Sequence, residues 1–91
     1  MSKAKGARTE RKAKKVLEAA GYFVIKAGAS LGEWDLVALG KKQCRLIQVK
    51  TNRRPGRVEM EQMREFKSPN YATKELWVWK DYAREPIIEE L

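Results

Sequence analysis

The hydrophobic pattern at the start of the chain predicts a helix. From Ala7 to about Ala20 the apolar residues recur at helical spacing and share one face: Ala13, Val16, Leu17 and Ala20. Gly21 is a typical C-terminal stop for such a helix. Residues 1–6, ahead of the helix, are polar and basic, which predicts a mobile arm.

Five runs rich in β-branched and aromatic residues predict strands. They are 22–25, 34–39, 44–50, 76–79 and 86–88, the last of them a short edge strand. A second helix is predicted from Glu59 to Lys67, since the residue before Pro69 disfavours helix. The order α-β-β-β-α-β-(β) predicts an α/β fold, in which helices flank a mixed central β-sheet in a three-layer-like arrangement. Ninety-one residues are enough for a single domain, 1–91.

Three polar side chains occupy positions where two adjacent strands should be apolar. Asp35 lies in the second predicted strand, and Gln48 and Lys50 lie two residues apart in the third. Residues 40–43 predict a hairpin turn between the two strands. Because strand side chains alternate, this hairpin should place Asp35 near the Gln48–Lys50 end on one face, unless the register slips by a residue.

These side chains can hold a divalent cation beside a phosphodiester. Magnesium prefers hard oxygen ligands, which Asp35, the Gln48 amide and the Val49 backbone carbonyl can supply. Lys50 would then orient or deprotonate the attacking water. So short a pattern, taken alone, is better explained by a solvated strand face. Glu10 makes a metal site the favoured interpretation. Considered alone, Glu10 would be explained as a negative charge that stabilises a helix N-terminus. It also borders the apolar stripe, where an unpaired carboxylate is costly, and together with Asp35 it supplies a second anionic ligand.

Composition narrows the classes of function. With 20 Lys and Arg against 12 Asp and Glu, the net charge of +8 favours a polyanionic partner, first of all nucleic acid. The absence of histidine excludes histidine-dependent nucleases and Cys/His zinc sites. The single cysteine, Cys44, excludes an internal disulfide and favours a reducing compartment. No apolar run suggests a membrane span or signal peptide, so we expect a cytoplasmic protein without a membrane partner.

Basic and aromatic residues outside the proposed site have simpler explanations beside functional ones. We expect DNA contacts from the basic start and from the loop 51–57: Lys5, Arg8, Arg11, Arg53, Arg54 and Arg57. A solvated loop explains any single loop arginine equally well. Trp77 and Trp79 share a strand face, where core packing or a dimer interface is favoured over base stacking. The second helix carries Met60, Met63 and Phe66, which we expect to form a core stripe, with a dimer interface as the alternative.

The order and spacing of these residues resemble the archaeal-type Holliday junction resolvases of the PD-(D/E)xK nuclease superfamily. The matching stretches are Gly6-Ala7-x-x-Glu10-Arg11, Ala20 to Val24, Lys26 to Ser30, Asp35 to Ala38 and Ile47 to Lys50. The resemblance implies a restriction-endonuclease-like core and a magnesium ion, for which manganese can substitute. It implies that Glu10, Asp35 and position 48 bind the metal and that Lys50 is catalytic.

The resemblance also implies roles outside the metal site. Ser30 would assist cleavage, Arg11 and Lys26 would hold phosphates, and a homodimer would cut two opposed strands of a four-way junction. Two residues depart from the family pattern: Gln48 stands where the family has glutamate, and Lys26 where it has arginine. Glu33 is either a surface residue of the loop or an outer ligand that compensates for Gln48.

Three functions remain open from the sequence. The first is a magnesium-dependent endonuclease that resolves four-way or other branched DNA as a homodimer, with no small-molecule cofactor. The second is a related nuclease that acts on flaps, nicks or duplex DNA. The third is a non-catalytic DNA-binding protein in which Gln48 marks a decayed metal site.

Overall fold

The structure, a computed structural model, describes residues 2–27 and 32–91, with side chains from Ala7 onward. It contains two helices and five strands: α1 (Ser2–Ala19), β1 (Phe23–Lys26), β2 (Leu36–Leu39), β3 (Cys44–Thr51), α2 (Arg57–Glu65), β4 (Ala72–Trp79) and β5 (Ile87–Glu90). The strands form one sheet in the order β1-β2-β3-β4-β5. Only β3 and β4 are parallel, and the other pairs are antiparallel. The predicted α/β fold with a mixed sheet is confirmed, and β5 lies at an edge as predicted.

Several element boundaries differ from the predictions. Helix α1 begins at Ser2, so residues 2–6, predicted as an arm ahead of the helix, have helical backbone. Strand β2 begins at Leu36 rather than Trp34, which places Asp35 directly before the strand. Strand β4 begins at Ala72, four residues earlier than predicted, because its whole length pairs with β3.

The two helices cover opposite faces of the sheet, which gives the predicted three layers. On one face Ala13 and Leu17 of α1 pack with Ile47 and Val49 of β3. On the other face Met60 and Met63 of α2 pack with Leu46, Leu76 and Val78. Since strand side chains alternate, odd positions of β3 and β4 face α1 and even positions face α2.

The face that α1 buries is rotated from the predicted one. Thr9, Ala13 and Leu17 are buried at four-residue spacing, whereas Val16 is 43% exposed and Ala20 is exposed as well. Gly21 ends the helix with a positive φ of 98°, as predicted for a C-terminal stop.

The aromatic and methionine side chains form the core. Trp77 and Trp79 are buried together on the α1 face, which confirms core packing over base stacking. Met60, Met63 and Phe66 form the predicted stripe on the α2 face, where Trp34 meets the Phe66 ring edge-on with 5.7 Å between centroids. Cys44 packs, half-buried, at the border of this cluster. No helix in the described ranges is both long and apolar enough to span a bilayer.

A buried ion pair ties β3 to β4 at the sheet end opposite Lys50. Arg45 donates to both carboxylate oxygens of Glu75, at 2.8 and 2.7 Å. Thr73 and Trp77 donate to the same carboxylate, at 2.6 and 3.0 Å. Burial alone would raise the pKa of Glu75, but these hydrogen bonds outweigh it and hold the pKa below its ordinary value. The sheet therefore contains a fully partnered carboxylate that stays ionised.

Candidate active site

The residues predicted for the site lie along one edge of the sheet, the edge formed by the ends of β1 and β3 and the start of β2. Lys26 ends β1, Asp35 directly precedes β2, and Lys50 lies next to the end of β3. Because β2 runs antiparallel to both neighbours, its start lies at the same edge as their ends. The hairpin register therefore brings the predicted residues together.

Asp35 forms hydrogen bonds with the two neighbours of Gln48 in β3. Its amide donates to the Ile47 carbonyl at 2.9 Å, and its carboxylate accepts from the Val49 amide at 2.8 Å. The predicted position of Asp35 near the Gln48–Lys50 end is confirmed. Since the N–H and C=O of a strand residue point to the same side, the Val49 carbonyl is also directed toward Asp35.

The electrostatic environment of Asp35 disfavours its charge. Burial is the largest effect and raises its pKa, and the Glu59 carboxylate adds to the rise. The hydrogen bond from the Val49 amide and the attraction of Lys50 lower the pKa, but they do not cancel the rise. The carboxylate lacks sufficient positive charge around it, so an additional cation would stabilise its ionised form.

Glu10 reaches the same edge from α1. Its side chain is 27% exposed, and one carboxylate oxygen lies 3.9 Å from the Lys26 ammonium. Burial and then the repulsion of Asp35 raise its pKa, while Lys26 lowers it. Because α1 begins at Ser2, Glu10 lies in the middle of the helix, and the plain N-terminal helix charge does not explain it. Two carboxylates thus repel each other at one point of the sheet edge.

Gln48 is buried rather than solvated. It is 5% exposed, and its Nε2 donates to the backbone carbonyl of Glu33. The solvated strand face that was the alternative for this position is therefore wrong. With the amide nitrogen bound to the loop, the side-chain carbonyl oxygen is the atom left for another partner. Glu33 contacts the site through its backbone, and the compensating role of its carboxylate stays a prediction.

Lys50 has a partner that the sequence reasoning missed. Its ammonium lies 3.3 Å from the carboxylate of Glu59, in the first turn of α2. Glu59 was predicted only as the start of a helix. The signal that could have found it is an acidic residue in the first turn of the helix that directly follows the strand of Lys50.

The oxygen atoms at the site are ligands of the type that magnesium prefers. Two carboxylates, one amide oxygen and one backbone carbonyl are hard oxygen ligands, and magnesium retains water in its remaining positions. In the described part of the chain no three Asp, Glu or Cys side chains form a metal-binding group. The candidate metal site therefore contains two carboxylates, Glu10 and Asp35, because position 48 is a glutamine.

The predicted DNA-contacting residues divide into available and paired ones. Arg8, Arg11 and Arg53 are exposed on α1 and the loop before α2. Arg54 forms an ion pair with Glu89, and Arg57 lies 3.5 Å from Glu61. Ser30 and the Lys5 side chain lie outside the described residues, so their predicted roles stay predictions.

Comparisons with known proteins show a family and a similar fold. A family model described as archaeal Holliday junction resolvase, Hjc, matches residues 1–74. Among solved structures, Archaeoglobus fulgidus Hjc, a Holliday junction resolvase from an archaeal hyperthermophile, is similar with a TM-score of 0.70 and 26% identity. The match covers 87% of this chain and 67% of that one. No curated protein gives a significant match.

Proposed function

The chain belongs to the archaeal Holliday junction resolvase family, and we propose that it is a metal-dependent, structure-selective endonuclease that resolves four-way DNA junctions as a homodimer. The observation that carries the proposal is the placement of two part-buried carboxylates, Glu10 and Asp35, at the sheet edge that also holds Lys50. Two carboxylates with raised pKa values at an exposed sheet edge make a site that a cation would stabilise.

Glu10, Asp35 and the carbonyl oxygens of Gln48 and Val49 would hold the metal. When bound, Mg²⁺ or Mn²⁺ supplies a water of lowered pKa and stabilises the charge that develops on the phosphate. The raised pKa values of the two carboxylates mean that protons compete with the metal, so metal binding should strengthen as the pH rises.

Lys50 would act on the reacting groups directly. Its ammonium donates hydrogen bonds, so it can orient the attacking water or offset charge on a phosphate oxygen. Glu59, 3.3 Å away, holds the ammonium at the edge of α2. Glu59 is therefore a positioning residue for Lys50.

A homodimer supplies the second active site that paired cleavage needs. A four-way junction has approximate two-fold symmetry, and a two-fold symmetric dimer would place one site on each of two opposed strands. The net charge of +8 supports binding to the crowded phosphates of such a substrate. Contacts with phosphates favour recognition of branch shape over recognition of bases.

The test is cleavage of a four-way junction across a Mg²⁺ titration. Wild type should make paired nicks only with metal, whereas Asp35→Asn and Glu10→Gln should bind the junction but not cleave it. Glu65→Gln, an exposed acidic residue at the end of α2, is the matched control and should cleave normally. Full cleavage by Asp35→Asn, or by metal-stripped wild type, would exclude the proposal. Flap, nicked and linear duplexes in the same assay separate junction resolution from a broader nuclease.

Gln48 supports one alternative, a junction-binding protein without cleavage. Its Nε2 is bound to the Glu33 carbonyl, and it contributes no negative charge to the site. Calorimetry that shows intact junction affinity but no Mg²⁺ binding would favour this alternative.

A further inference from the structure

A second cleft lies next to the candidate active site on the same sheet edge. It has a volume of about 360 Å³ and opens between α1 and the ends of β3 and β4. Thr9 and Thr51, which line it, directly adjoin Glu10 and Lys50 in sequence. Thr51 ends β3, the strand that pairs with β2 directly after Asp35, so the cleft borders the strand ends of the candidate active site. A DNA strand that passes through the active site would therefore reach it.

The cleft carries an excess of positive charge. Arg8, Lys12 and Lys80 line it against one carboxylate, Asp81, so three positive charges less one negative give +2. Within the described residues, Arg8 and Lys80 form no ion pair with a carboxylate, unlike Arg54 and Arg57. Lys12 lies over the Trp79 ring, 5.3 Å from its centroid. The cations are thus available to an anion.

The inner wall of the cleft contains two threonine hydroxyls that are hydrogen-bonded to each other. Thr9 Oγ1 and Thr51 Oγ1 lie 2.9 Å apart and connect α1 to β3. Thr9 is buried and its hydroxyl contacts Thr51, so this hydroxyl has a fixed position. The contact between the two hydroxyls therefore holds α1 against the end of β3 at the wall of the cleft.

An exposed aromatic ring stands at the rim of the cleft. Tyr82 is fully exposed, at 102%, and its φ is 65°, a backbone region that aromatic residues rarely adopt. Its turn is held by hydrogen bonds: the Asp81 amide donates to Asn52 Oδ1 at 2.8 Å, and the Ala83 amide donates to the Lys80 carbonyl at 3.1 Å. An ordered turn therefore presents an unpacked ring beside a basic cleft.

We propose that this cleft is a nucleotide subsite, in which Arg8, Lys12 and Lys80 hold a backbone phosphate and an unpaired base stacks on Tyr82. The combination of a basic groove with an exposed aromatic ring is the usual means of binding single-stranded nucleic acid. This proposal rests on the proposed function, because the subsite would bind a nucleotide next to the bond that the active site cleaves. It would select DNA whose bases are unstacked, as at a branch point.

The test measures binding in EDTA, so it does not depend on cleavage. The probes are a short thymidine oligonucleotide and an abasic oligonucleotide of the same length. Tyr82→Ala should weaken binding of the thymidine probe about 5- to 100-fold and leave the abasic probe unchanged. Tyr82→Phe, which keeps the ring, should bind both probes like wild type.

Removal of a cation should act on both probes alike. Lys80→Ala should weaken both and reduce the slope of log affinity against log salt by about 0.7, the loss of one phosphate contact to a single strand. Lys42→Ala, an exposed lysine in the turn between β2 and β3 at the opposite sheet edge, is the matched control and should leave the slope unchanged.

Two results would overturn the subsite. One is wild-type affinity of Tyr82→Ala for the thymidine probe, and the other is an equal loss on the abasic probe. Either result leaves the proposed function standing if wild type still cleaves junctions with metal. Conversely, wild type that binds the thymidine probe through Tyr82 but cleaves no junction contradicts the proposed function alone.

Discussion

Replacing Gln48 with glutamate should separate the contributions of this position to folding and to metal binding. The side chain is 5% exposed and donates from Nε2 to the Glu33 carbonyl. An ionised glutamate cannot donate, so the variant would leave a carboxylate facing a carbonyl. Loss of a partner for a buried polar group costs about 1–3 kcal/mol.

Charge repulsion adds to this cost when no metal is bound. Glu10 and Asp35 already have raised pKa values, and a third carboxylate would raise them further. Each pKa unit corresponds to about 1.4 kcal/mol, so we expect a total destabilisation of about 2–4 kcal/mol. At about 4–8 °C per kcal/mol, even the lower value lowers the Tm by roughly 10 °C.

The pH dependence of this loss has a definite sign. The new glutamate has a folded pKa above its unfolded value, so its destabilisation grows as the pH rises through the window between the two values. At acidic pH the protonated side chain can donate to Glu33 again, and the variant should approach wild-type stability.

Magnesium should reduce the difference in stability between the two proteins. The variant offers the metal a third carboxylate, and we expect at least a tenfold tighter Kd, about 1.4 kcal/mol. The assay is thermal unfolding in EDTA and across a Mg²⁺ titration, with calorimetry for the Kd. Gln62→Glu, at an exposed position of α2, is the control for the added charge. Wild-type stability of Gln48→Glu in EDTA, or an unchanged Kd for Mg²⁺, would refute the reasoning.

Three further predictions follow from the ion pairs. Arg45→Met should destabilise the fold by about 3–5 kcal/mol in urea unfolding, because it leaves the buried Glu75 carboxylate unpaired. Since the folded pKa of Glu75 is lowered, wild type should lose stability as the pH falls below about 4.3, and Glu75→Gln should lose less. Glu59→Gln should slow single-turnover junction cleavage about tenfold with unchanged binding in EDTA, because Lys50 loses its positioning partner.

The two predictions on Arg45→Met and Glu59→Gln each have a matched control, and the pH prediction compares Glu75→Gln with wild type. Arg53→Met removes an exposed arginine and should change the free energy of unfolding by less than about 0.5 kcal/mol. Glu61→Gln, on the exposed side of α2, should cleave like wild type. An equal loss of stability in Arg53→Met, an identical acid transition in Glu75→Gln, or normal cleavage by Glu59→Gln would contradict the respective prediction.

The sequence predicted the hairpin part of the site because its geometry is local. A short turn links β2 to β3, so the alternation of side chains and the turn length together determine the register. Asp35, Gln48 and Lys50 could therefore be placed near one another without knowledge of the rest of the fold. The one error was the start of β2, which moves Asp35 to the position before the strand.

Features that depend on how distant elements pack were not predictable in this way. The pairing of Lys50 with Glu59 depends on where α2, the helix between β3 and β4, packs against the sheet. No local sequence pattern encodes this position. The buried face of α1 includes Thr9 instead of Val16. In this orientation of the helix, Thr9 Oγ1 lies 2.9 Å from Thr51 Oγ1 of β3. A threonine among lysines gives too weak an apolar signal to indicate that orientation.

Gln48 is better understood as a residue with two partners than as a weakened glutamate. An amide can donate to the Glu33 carbonyl and present its oxygen to a metal at the same time, whereas a carboxylate serves only the metal. In a chain of 91 residues, for which a small total stability is expected, the amide avoids a third repelling charge in the metal-free state. The expected consequence is a lower affinity for Mg²⁺ than that of Gln48→Glu. We therefore expect wild type to need more Mg²⁺ than Gln48→Glu for half-maximal junction cleavage, although it is the more stable protein without metal.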